Sequence, residues 1–87
     1  MNEDKEVLEI EMAVGKAMSN PGTKSAVCVL TEKQAYDLVS TLALTKGRFS
    51  LVSGNGKECV DAKSFLGVTY FMVVHPNDTY LVYENDN

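Results

Sequence analysis

The sequence predicts an α+β fold: a four-stranded, mainly antiparallel sheet with helices on one face and an extra N-terminal helix. Three observations carry this expectation. A one-sided apolar stripe with clear start and stop signals marks a helix after Thr31. Short runs rich in β-branched and aromatic residues mark strands, two of them joined through an Asn-Gly turn. The resulting order, a helix and then β-α-β-β-α-β, interleaves the two types in 87 residues, a length for one domain with a modest core.

The first segment, 3–18, also alternates briefly like a strand in "LEIEM". Its length and its Ala, Glu, Met and Lys content favour a helix, with Val7, Leu8, Met12, Val14 and Met18 on one face and Ala13 and Ala17 beside them. "SNPG" at 19–22 stops it. "SAVCVL" at 25–30 reads as the first strand. Thr31 with Gln34 three residues on forms a capping box. Ala35, Leu38, Val39, Leu42 and Ala43 then follow at helical spacing, and Gly47 after Lys46 ends the helix. "RFSLVSG" at 48–54 and "KECVD" at 57–61 are the arms of a hairpin around "GNG". Ser64 caps a short helix containing Phe65, Leu66, Val68 and Tyr70. "HPND" at 75–78 is a turn, and "TYLVYE" at 79–84 is the last strand. The expected division is a helix and turn at 1–22 and a β-α-β-β-α-β core at 23–87.

Composition narrows the function classes. The chain is 45% hydrophobic and 23% charged, the balance of a folded soluble protein. Its net charge of -4 comes with acids crowded at both ends and no basic stripe. Nucleic acid and anionic membrane are therefore not expected partners. The acidic start offers no secretory signal, and no apolar run approaches membrane-spanning length. Cys28 and Cys59 form no CxxC pair, and with one histidine they make a poor zinc set, so no metal and no cofactor are expected. Both lie in apolar, strand-like runs and read as buried, reduced thiols of a cytoplasmic protein. "SGNG" lacks the Gly-Lys-Ser ending of a phosphate loop, and Asp37, Asp61 and Asp78 form no acid–base pair by spacing. An enzyme is not expected.

The stretch Val60, Asp61, Ala62, Lys63, Ser64, Phe65, Leu66, Gly67 resembles the V-x-A-K-S-[IL]-[ML]-G sequence of the HPr-like phosphocarrier proteins of the sugar phosphotransferase system. It follows a hairpin, and the element order from Ser25 to Glu84 matches the family's core, so the resemblance covers about two thirds of the chain. It looks nearest to the short, histidine-lacking, Crh-type members of Firmicutes. The resemblance implies an open-faced β-sandwich. It also implies a regulatory, protein-binding role with Ser64 as a candidate phosphorylation site, a serine kinase as a partner, and Lys63 beside the phosphate. Phe65, Leu66 and Thr69 correspond to the family's partner-binding patch; the plainer alternatives are an ordinary N-cap at Ser64 and ordinary core and surface residues in the helix.

Two departures limit what carries over. The family's G-x-H-A-R-P stretch is replaced here by "LTEKQAYDL" at 30–38, without His, Arg or Pro. Phosphoryl relay needs an imidazole nucleophile, so phosphocarrier activity is not expected from that site. His75, the only histidine, is then the one relocated acceptor available, and more simply an exposed turn residue. The family's last helix, after the fourth strand, has no counterpart in the 87 residues, and the helix at 3–18 is expected to cover the same patch of sheet. A third possible role is a structural module that dimerises through Phe65, Leu66 or the N-terminal helix.

Overall fold

The structure, a computed structural model, describes residues 2–84, with side chains from Glu9 onward. Seven elements follow in order: α1 (Asn2–Ser19), β1 (Ser25–Ala26), α2 (Glu32–Ala43), β2 (Arg48–Ser53), β3 (Cys59–Asp61), α3 (Phe65–Val74) and β4 (Thr79–Glu84). The strands form one antiparallel sheet in the order β1-β4-β2-β3. The fold is thus α+β, with the helices on one side of an open sheet.

Strand alternation sets that arrangement. β2 and β4 pair along their full length, from Arg48 opposite Glu84 to Ser53 opposite Thr79. Phe49, Leu51 and Leu81 fall on one face and are fully buried. Ile10 and Val14 of α1, Leu38 and Leu42 of α2, and Val68 and Phe71 of α3 close over them into one core. The outer face carries Arg48, Ser50, Val52, Tyr80, Val82 and Glu84, none of them fully buried.

α2 begins as its sequence demands. Thr31 Oγ1 accepts from the Gln34 N–H at 3.1 Å, and Gln34 Oε1 accepts from the Thr31 N–H at 3.1 Å and the Leu30 N–H at 2.9 Å. These bonds satisfy Gln34 Oε1 although the residue is buried. The helix ends earlier than Gly47: Leu44 is its C-cap, and the Thr45 hydroxyl donates to the Thr41 carbonyl at 2.9 Å. Gly47, at φ 107, instead turns the chain into β2.

Several expectations are corrected. β1 has two residues, not six. Beyond Val27, whose N–H donates to the Thr79 carbonyl at 3.1 Å, the ladder loses its partner, because β4 starts at Thr79 after the Pro76 turn. The buried face of α1 is Ile10, Ala13, Val14 and Ala17, at i, i+3, i+4, i+7; Met12 is 54% exposed and Met18 39%. Val7 and Leu8, expected on that face, lie outside the residues whose side chains are described. α1 still covers the sheet, packing on β4, β1 and α2. Both cysteines are exposed rather than buried. Cys28 lies between the inward Val27 and Val29, and Cys59 is out of phase with the half-buried Val60, so alternation turns both outward.

Candidate functional site

The expected site residues converge on α3 and the turn before it. Asp61 shapes that turn: its carbonyl accepts from the Ser64 N–H at 3.1 Å and its Oδ1 from the Lys63 N–H at 2.9 Å. Ser64 takes an extended conformation, φ -94 and ψ 117, and its Oγ accepts from the Gly67 N–H at 3.2 Å. It is an N-cap, and it is half-buried. Gly67 is where the helix meets β3. A Cβ there would lie 3.2 Å from Val60 Cβ and 3.3 Å from the Asp61 carbonyl, so glycine permits the close approach.

Lys63 has a structural task. Its amine donates to the Thr45 carbonyl at 2.8 Å and stands 5.9 Å from the centroid of the Phe49 ring. It thereby ties the start of α3 to the turn that follows α2. The charge expected beside a Ser64 phosphate is engaged there.

α3 is a ten-residue helix with no charged side chain. Val68 and Phe71 enter the core, and Met72 packs partly against it. The opposite face is apolar and open: Leu66 is 81% exposed and Val73 75%, with Phe65, Tyr70 and Val74 also exposed. Thr69 is half-buried, its hydroxyl donating to the Leu66 carbonyl at 3.0 Å. Phe65 and Leu66 are therefore both on the surface. The outward Tyr70, Val73 and Val74 extend the patch along the helix.

At the far end of α3 stands a group that no sequence spacing brings together. Tyr70 Oη donates to Glu58 Oε2 at 3.2 Å, and His75 Nε2 stands 3.3 Å from the same oxygen. The carboxylate, as hydrogen-bond acceptor first and as a negative charge second, holds the Tyr70 hydroxyl above its ordinary 10.0. His75 is the C-cap of α3, not an exposed turn residue. Its ring lies 4.9 Å from that of Phe71, its side chain is 18% exposed, and its Nε2 is buried without an aligned hydrogen-bond partner. No regular spacing links Glu58 to 70 or 75; the hairpin brings it there.

The remaining carboxylates serve turns and helix faces. Asp78 Oδ2 accepts from the Gly54 N–H at 3.0 Å, and Asp37 pairs with Lys33 at 3.3 Å. Among the described residues no three His, Cys, Asp or Glu side chains are grouped to hold a metal ion, and no helix is long and apolar enough to cross a membrane. No family model, curated protein or solved structure matches the chain.

Proposed function

We propose that this chain is a non-catalytic, HPr-like regulatory module that binds a partner protein through the outer face of α3, under the control of phosphorylation at Ser64. The observation that carries this reading is the exposed, uncharged face of Phe65, Leu66, Tyr70, Val73 and Val74. Exposed large apolar groups lying together along one helix are characteristic of interaction surfaces. The β-α-β-β-α-β order from β1 to β4 is consistent with the family resemblance.

Ser64 fits the regulatory part on physical grounds. A phosphate there would sit at the N-terminal turn of a ten-residue helix, where free N–H groups and the helix dipole favour an anion. The charge would be set down at the edge of the apolar face and beside Asp61, changing what the face accepts.

The test uses the purified protein, ATP and a Gram-positive HPr kinase, read by mass spectrometry. Phosphate is expected on Ser64 and absent from Ser64→Ala. Leu66→Glu, which alters the face without touching the core, is expected to slow transfer. Absence of Ser64 phosphate in the wild-type chain under conditions that phosphorylate authentic HPr would overturn the regulatory reading. A normal rate with Leu66→Glu would remove α3 as the surface that docks this kinase.

A further inference from the structure

We propose a second binding surface, independent of α3: the free edge of β1 and the cleft between it and α1 take up an extended apolar peptide segment bearing a basic residue. The backbone register carries the first part. In an antiparallel pair, alternate residues aim both their N–H and C=O groups at the same neighbour. Val27 donates to Thr79 and so faces β4. Ala26 and Cys28 must therefore direct their N–H and C=O groups to the open side, where both residues are exposed.

That edge is short, but its sequence places no charge or proline within it. Natural edge strands are blunted by charges or proline. The other edge, β3, holds Asp61 within the strand, whereas the charge nearest β1, the preceding Lys24, is engaged by the Gly54 carbonyl at 2.9 Å. The stretch 25–30, "SAVCVL", has neither charge nor proline and is rich in valine. A strand laid along Ala26 to Cys28 would find donors and acceptors in place.

A cavity of about 170 Å3 adjoins this edge, between Glu9, Ile10 and Ala13 of α1 and Ala26, Val27 and Cys28. Its walls suit one branched aliphatic side chain of an incoming strand, whose alternate side chains would turn toward the helix. Glu9 at the rim is exposed and asks for a positive charge. The same charge argues against a second copy as occupant. Pairing β1 with β1 would bring the acidic α1 helices of two chains, each of net charge -4, to one seam. The occupant is thus a segment of a different protein.

The experiment pans the full-length chain, immobilised, against a phage-displayed library of random nonapeptides. A selected peptide, made synthetically, is then titrated into labelled protein by NMR. Enrichment of alternating β-branched sequences with Lys or Arg is expected, together with slowed exchange at the amides of Ala26 and Cys28. Cys28→Pro deletes an N–H that does not bond β4, so the Val27 and Thr79 signals should stay in place while affinity falls at least tenfold. Glu9→Lys, on the exposed side of α1, should redirect selection to peptides with acidic flanks, and it serves if the proline variant fails to fold. The proposal is overturned if no sequence is enriched, or if bound peptides shift α3 signals instead. It is equally overturned if Glu9→Lys leaves the selected sequences unchanged, or if the chain alone dimerises with the β1 amides protected.

Discussion

Gly47 combines two demands that no other residue meets. Its φ of 107 lies where side chains are strained, and a Cβ there would run into the Tyr83 ring. Tyr83 cannot easily give way, because its ring packs on Phe49 at 4.9 Å between centroids. Gly47→Ala should therefore destabilise the chain by about 1–3 kcal/mol, measured by urea unfolding. The Tyr70–Glu58 bond makes a prediction about pH. It favours the neutral phenol in the folded chain, so the folded value lies above 10.0. Its contribution to stability is complete below the unfolded value and is lost as pH rises through the folded one. Phenolate absorbance, taken as wild type minus Tyr70→Phe, should show Tyr70 ionising late, and Glu58→Gln should bring it down. An unchanged Tyr70 titration in Glu58→Gln would show that the carboxylate is not the cause.

α3 divides its side chains by face, and denaturation should read the division directly. Phe71→Ala removes a fully buried ring and should cost about 3–5 kcal/mol. Leu66→Ala, at an 81% exposed position, should change stability by no more than about 0.5 kcal/mol. Equal losses would mean that the outer face is covered. Local signals were well written for such elements. The capping box of Thr31 and Gln34, the cap at Ser64 and the strand at 79–84 could be read because neighbouring residues decide them. The hairpin was legible too, although its closing pair is Ser53 and Glu58: Asn55 keeps a negative φ, and Gly56 takes the positive one, φ 75. What could not be read depends on distant residues. β1 is short because its partner begins at Thr79, α1 turns Met12 outward because Ile10 and Ala13 fit the sheet, and Glu58 meets Tyr70 only through the hairpin.

The sheet is strongest in the middle. β2 and β4 share six pairs, whereas β1 contributes two and β3 three. Native-state hydrogen exchange should find Ser50, Val52, Tyr80 and Val82, whose amides face the central β2–β4 pairing, among the most protected, and the edge strands opening first. Uniform protection across all four strands would contradict this order. The candidate surfaces are distributed to match: α3 lies over β3 and the cleft beside α1 adjoins β1, so both sit near edges while the central pair holds the frame.

The turn after α1 returns to the sheet at one point. The Gly22 N–H donates to the Tyr83 carbonyl at 2.9 Å, which sets the last turn of α1 beside the end of β4. The helix is 18 residues long, so its first turn lies about 27 Å away from that point. This fixes the polarity with which α1 crosses the sheet. A circular permutant that opens at Thr23 and carries α1 behind Glu84 cannot use a short joint. It needs a linker of at least about eight extended residues to enter the helix from the correct end. With such a linker, thermal unfolding should stay close to that of the parent chain. With two residues, α1 could dock only in reverse, and Ile10, Ala13, Val14 and Ala17 would lose their places, so the Tm should fall sharply.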